Sequence, residues 1–167
     1  DRPALRHEAG PGTGGRPGGP EGHRGIFSGG RPAGYGFRGA TADYAREANH
    51  QTLVCLMVEE MEAIENLPDL VTVAGVDVYF IGSGDLSQSM GLTGQQAHPD
   101  VQQAMERGVE IITGAGRIAG CSCPDNLIPK FLGLGMQYFH SGVNRLLQQS
   151  SEAYLKTMRQ AAADAGK

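Results

Sequence analysis

The sequence has no apolar run that approaches the roughly 18 residues a membrane span needs. Nor does it have an excess of basic residues. With 14 Lys and Arg against 18 Asp and Glu, it carries a net charge of −4 and a pI of about 5.7. That balance argues against a surface built for nucleic acid or for an anionic membrane. The first ten residues, DRPALRHEAG, are polar, so no secretory leader is expected and the expected location is the cytoplasm. The chain does not begin with Met, as a processed or incomplete chain would not. Cysteines are few and odd in number: Cys55, Cys121 and Cys123. Residues i and i+2 of a strand face the same way, which is poor geometry for a disulfide between Cys121 and Cys123. Too few further ligands gather near them for a zinc site. All three are expected to be reduced thiols of the core.

What is present divides unevenly. The 167 residues are enough for one domain with a real core. Yet residues 1–40 hold 13 of the 26 glycines and 5 of the 9 prolines, with almost no apolar periodicity. Such a composition cannot bury enough surface to offset its ordering entropy, and disorder is expected over residues 1–19. The segment GHRGIFSGGRPAGYGF (22–37) carries Ile26, Phe27, Tyr35 and Phe37 and reads as a long ordered loop. Its Arg24 and Arg31 would either be solvated or meet an anion.

From Thr41 onward apolar runs alternate with helical patterns. Strands are expected over 52–58, 76–81, 117–121 and 137–141. Helices are expected over 40–50 (capped near Thr41 or Asp43), 60–66 and 124–134, and from Asn144 onward, where Leu147, Tyr154 and Met158 share a stripe. Leu86–Met90 reads as a turn or short helix. The clearest helix starts at Pro99, with His98 as its cap and Val101, Met105, Val109 and Ile112 along one face, and Gly114 and Gly116 end it. Strand followed by helix four times over predicts an α/β protein with parallel pairing and right-handed crossovers. A complete eight-unit barrel takes about 250 residues, so four units are either a small open sheet or half a barrel.

The chemistry gathers where two of these strands end. Val76–Ile81 runs into Gly82-Ser83-Gly84 and then Asp85; TLVCLMV (52–58) runs into Glu59. The two acids lie 26 residues apart, about one βα repeat, so both would point into one cavity at the C-terminal ends of neighbouring strands, where α/β folds keep their sites. Mg²⁺ and similar hard cations want one or two carboxylates, with water and substrate oxygens filling the remaining positions. The plain alternative for Asp85 is that it caps a helical turn starting at Leu86-Ser87. Glu60, one residue past Glu59, should face away or open the next helix. Lys130 is the only lysine between Asp85 and the last helix, and its mid-helix place gives little support to a Schiff base. His140, near the end of the last strand, reads as a core residue. His98 reads as a cap, and His7, His23 and His50 as loop residues; none is assigned a catalytic role.

The stretches LMVEEMEAIENLPDLVTVAGVDVYFIGSGDLSQSMG, HPDV, AGRIAG and LGLGMQYFHSGVN resemble the HpcH/HpaI aldolase family, and PEGHRGIFSGGRPAGYG resembles that family's PPxGxRG loop. The resemblance runs from about Pro20 to the C-terminus, so residues 20–167 would be the C-terminal half of a (β/α)8 TIM-barrel domain, its last four βα units, with residues 1–19 outside it. It implies a class II, metal-dependent aldolase, usually a hexamer, that cleaves 4-hydroxy-2-oxo acids to pyruvate and an aldehyde. Glu59 and Asp85 match the metal-binding carboxylates, for Mg²⁺ or Mn²⁺. Gly84 matches the residue whose amide holds the pyruvate carboxylate, Asp85 also faces substrate, and Ser122 falls near a second backbone contact. The family's catalytic His and substrate-binding Arg belong to the first half of the barrel, so no catalytic residue is assigned in this chain. Met57 stands where the family commonly has Gln. Two further readings remain open: a lyase of CoA thioesters like the citrate lyase β-subunit or malyl-CoA lyase, and an inactive half-barrel that assembles with itself or with a complete subunit.

Overall fold

Four short strands carry the architecture: β1 (Cys55–Val58), β2 (Val78–Ile81), β3 (Ile118–Cys121) and β4 (Tyr138–Phe139). The computed structural model describes residues 27–37 and 39–166. The disorder expected over 1–19, and the readings of Arg24, His7 and His23, lie outside the described residues. All neighbouring strands run parallel, in the sequential order β1-β2-β3-β4. Cys55 stands opposite Val78, Val78 opposite Ile118, and Gly120 opposite Tyr138. Each strand is shorter than its apolar run. At the start of β1 the cause is visible: the Asp77 carboxylate accepts the Val54 N–H at 2.8 Å, and the Val54 carbonyl accepts from the amides of Asp77 and Val78. A side chain takes the donor there, and the ladder begins one residue later.

The helices are α1 (Thr41–Gln51), α2 (Met61–Glu65), α3 (Leu67–Leu70), α4 (Ser83–Ser89), α5 (Pro99–Gly114), α6 (Ile128–Gly133) and α7 (Val143–Asp164), with short 3-10 segments at Arg31–Gly36 and Asp125–Leu127. Several expectations need correction. The cap position of α1 is Ala40, with no side-chain bond, and His50 lies in the last turn of α1, not in a loop. The helix expected over 60–66 ends at Asn66, and α3 starts beside it with Pro68 in its first turn, a place where proline's missing N–H costs nothing. The helix expected over 124–134 is a 3-10 turn followed by α6. Residues 31–36 include Tyr35 at φ 57, a left-handed conformation that is uncommon outside glycine. Arg31 in this segment is exposed. His98 caps α5 as expected, its ring nitrogen Nδ1 accepting from the Asp100 N–H at 3.3 Å.

The two faces of the sheet are unlike each other. Val58, Tyr79, Ile81, Ala119 and Cys121 point to the helix side, where they pack with Ile64, Leu67 and the Val101, Met105, Val109 and Ile112 stripe of α5. Each of those four α5 side chains is fully buried, worth about 1.5–3 kcal/mol apiece. The opposite face carries Cys55, Met57, Val78, Phe80, Gly120 and Tyr138; it is open at β1, where Met57 is 51% exposed, while Val78 and Phe80 at its centre are buried. So the β1 run is not buried on both faces. Cys55 is exposed and not a core thiol, Cys123 is half-buried, and only Cys121 lies in the core. Burial pushes the Cys121 thiol well above its usual range, which keeps it protonated and inert. α7 has no buried residue. Its Leu147, Tyr154 and Met158 stripe stands open to solvent. No described helix is long and apolar enough to cross a membrane.

Candidate active site at the strand ends

Glu59 is the first residue past β1, and Asp85 lies in the first turn of α4, just past β2. The structure brings both acids to the C-terminal ends of adjacent parallel strands. Asp85 is not the cap: α4 begins at Ser83, Gly82 holds the cap position, and the Asp85 carboxylate makes no capping bond. Glu60 is exposed at the cap position of α2, which is the role expected of it. Between the two acids sits Gly82, whose N–H donates to the Val58 carbonyl at 3.0 Å. Gly82 has φ −83, so its backbone does not require glycine. Its reason is space: a Cβ there would stand 3.0 Å from the Glu59 Cβ and 3.1 Å from Glu59 Oε2.

Neither Glu59 nor Asp85 has a hydrogen-bond or ion-pair partner among the described residues. Other acids of the chain do: Glu106 pairs with Lys130, Asp125 with Arg145 and Asp43 with Arg46. Two unpartnered carboxylates around a glycine that makes room for one of them form a donor set of the kind a hard divalent ion accepts. No group of three or more His, Cys, Asp or Glu residues forms a metal cage among the described residues. An ion such as Mg²⁺ needs none, because it keeps several waters and substrate oxygens. The residues present therefore fit such an ion. Lys130 is occupied on the helix layer, paired with Glu106, away from the strand ends.

A cavity of about 450 Å³ opens beside Asp85, along the sheet face that carries Met57 and Phe80, and Gly82, Gly84 and Ser122 also line it. Gly84 is exposed there, and Ser122 is half-buried, its carbonyl accepting from the Ser83 hydroxyl at 3.1 Å. The sequence-predicted residues Gly84, Asp85 and Ser122 thus share one wall, and Glu59 meets it through Gly82. His140 is a correction. It is exposed, not a core residue; its ring stands edge-on to Phe80 at a centroid distance of 6.2 Å, and it borders this cavity and a second one beyond Ser122. One signal could have found it: His140 directly follows β4, as Glu59 directly follows β1. A Cβ at Gly82 would crowd the Glu59 side chain, so in the metal-site reading proposed below Gly82→Ala should weaken Mn²⁺ binding by about tenfold. Unchanged Mn²⁺ affinity in that variant would show that the glycine does not position Glu59.

These features define a class: an α/β protein with a parallel sheet and two acids gathered at the C-terminal ends of adjacent strands. Within that class the chain belongs to the HpcH/HpaI aldolase/citrate lyase family, a family of lyases, whose model matches residues 19–144. It is 40% identical over 113 residues to the 4-hydroxy-2-oxo-heptane-1,7-dioate aldolase of Shigella sonnei, a match covering 66% of this chain and 43% of that protein. The corresponding protein of Klebsiella pneumoniae is 39% identical over the same length. The chain therefore spans less than half the length of the curated relatives it matches. Among solved structures, an HpcH/HpaI aldolase/citrate lyase family protein from Burkholderia cenocepacia superposes with a TM-score of 0.71 at 30% identity, covering 84% of this chain and 54% of that one. The citrate synthase SbnG superposes at 0.63 and 26% identity, covering 77% and 54%.

Proposed function

We propose that residues 20–167 are the metal-binding half of a (β/α)8 aldolase that cleaves 4-hydroxy-2-oxo acids to pyruvate and an aldehyde, in the cytoplasm. The observation that carries this reading is the pair of unpartnered carboxylates, Glu59 and Asp85, at the ends of adjacent parallel strands on either side of Gly82. They would hold Mg²⁺ or Mn²⁺, which when bound supplies a Lewis acid that draws charge from the 2-oxo group. The Gly84 amide would take the substrate carboxylate, and a preformed backbone donor does so without reorganising. Ser122 and His140 would flank the carbon skeleton along the cavity wall. Cleavage removes the C4 hydroxyl proton as the C3–C4 bond breaks and returns a proton to C3 of pyruvate. The side chains that move those protons would belong to the other half of the barrel. A Mn²⁺ titration followed by electron paramagnetic resonance tests the reading: one ion per chain, bound more tightly when pyruvate is present, is expected, because coupling between two ligands is reciprocal. Absence of bound Mn²⁺ with or without pyruvate would refute it.

The sheet face left open at β1, where Cys55 and Met57 are exposed, supports the half-barrel part of this proposal. Parallel sheets are normally covered on both faces, and an exposed apolar face invites a second layer. With the bare stripe of α7, it leads us to propose a homo-oligomer, or assembly with a complete subunit. Light scattering should give a species larger than a monomer, and Leu147→Lys with Tyr154→Lys should shift it toward monomer. A monodisperse wild-type monomer would contradict this. The CoA-thioester alternative is disfavoured: among the described residues Arg145 is the one arginine lining the two strand-end cavities, and Asp125 already pairs with it.

A further inference from the structure

The two strand-end cavities differ in chemistry. The second, of about 290 Å³, lies beyond Ser122 and His140, and Ser83, Gln96, Ser141 and Arg145 are among the groups on its walls. Gln96 is fixed there by its backbone. Its carbonyl accepts from the side-chain Nε2 of Gln102 at 2.7 Å, and Gln102 is only 8% exposed beneath the start of α5. At the other end of the loop, the Leu92 N–H donates to the Ser87 carbonyl at 2.8 Å. The half-buried Gln96 side chain has no hydrogen bond of its own among the described residues. Its Nε2 stands 3.9 Å from where a Cβ on Gly84 would be, at the point where the two cavities meet. A primary amide held this way offers two donors and a carbonyl acceptor to whatever enters.

The charge on the same wall is already spent. Arg145 donates from Nε to the Ser141 hydroxyl at 3.3 Å, and its other arm pairs with Asp125. Asp125 also accepts from Gln149 at 3.4 Å, and the Arg145 guanidinium holds its carboxyl below the usual range, so it stays ionised. The pair sums to zero. The Ser141 hydroxyl, having accepted from Arg145, keeps its own hydrogen to donate. A ligand carboxylate can only accept, and the cation on this wall, Arg145, is already neutralised by Asp125. A ligand hydroxyl both donates and accepts, as the amide of Gln96 and the hydroxyl of Ser141 require.

We propose that this second cavity receives the aldehyde-derived end of the substrate and selects a neutral, hydroxylated fragment over one ending in a carboxylate, with Gln96 as the specificity-determining residue. Gln102 is then a positioning residue that acts through the Gln96 carbonyl. The proposal rests on the reading that Glu59 and Asp85 hold the 2-oxo acid end.

The test is calorimetric titration of the full chain, with Mn²⁺ present, by three ligands: pyruvate, a 4-hydroxy-2-oxo acid with a hydroxylated neutral tail, and one with a carboxylate tail. The hydroxylated ligand should bind about tenfold more tightly than the carboxylate one, the scale of one unmet hydrogen-bonding group. Gln96→Leu should weaken the hydroxylated ligand about tenfold more than it weakens pyruvate. Asp125→Asn, which frees the charge of Arg145, should raise affinity for the carboxylate ligand and shrink or reverse the preference. Equal binding of the two tailed ligands, or a carboxylate preference in the wild-type chain, overturns this inference alone, provided pyruvate binds. If pyruvate itself does not bind with Mn²⁺, the reading of Glu59 and Asp85 falls, and this inference with it.

Discussion

Asp85→Asn is expected to weaken metal-dependent pyruvate binding by about 100-fold or more, since loss of even an outer-shell partner of a metal ligand costs 10–100-fold. The change keeps the size of the side chain and one oxygen but removes its charge, and a hard cation depends on that charge. Asp85 is exposed and has no capping bond or ion pair among the described residues, so little in the fold depends on it. Far-ultraviolet circular dichroism and the melting temperature should therefore match wild type while binding is lost. That separation distinguishes a ligand from a structural acid. Retained metal-dependent binding in Asp85→Asn would remove Asp85 from the site.

Gly120→Ala should strongly destabilise the sheet. A Cβ at Gly120 would stand 2.8 Å from Tyr138 Cδ1, 2.9 Å from the Tyr138 carbonyl oxygen and 3.0 Å from its Cβ. The backbone oxygen cannot swing aside, so β3 and β4 must separate. The Tyr138 ring, which lies edge-on to Phe80 at a centroid distance of 6.1 Å, would move with it. Overpacking of this kind costs about 3 kcal/mol, which lowers the melting temperature of a chain this size by roughly 6–12 °C. Loss should also extend to pyruvate binding, because Tyr138 and His140 border the cavity next to Phe80. A variant that melts within a degree or two of wild type would show that β4 accommodates the methyl group.

Much of this was legible from the chain alone. Parallel pairing follows from four apolar runs alternating with helical patterns, and the two carboxylates stand out because Glu59 follows one run and Asp85 the Gly82–Gly84 turn after the next. The exposure of β1 was not legible. A continuous apolar run such as TLVCLMV reads as a strand buried on both sides, and only the three-dimensional structure shows Cys55 and Met57 without a covering layer. The same limit hid the state of α7: the periodicity of Leu147, Tyr154 and Met158 predicts an apolar stripe but not what packs on it. By sequence His140 reads as a core residue, whereas its ring lies against Phe80 and borders the cavity. Gln96 and Gln102 carried no signal at all. Their role depends on one hydrogen bond from a helix to a loop carbonyl, and no residue pattern marks that contact. Pro68 was a readable break, and the split between α2 and α3 falls beside it.

The most direct test is isothermal titration of pyruvate, or of oxalate as its planar dianionic mimic, into the wild-type chain with and without Mg²⁺ or Mn²⁺. Binding that appears only with the metal, and disappears in Asp85→Asn, is what the Glu59–Asp85 site predicts. A folded chain that binds neither ligand in the presence of either ion would contradict it.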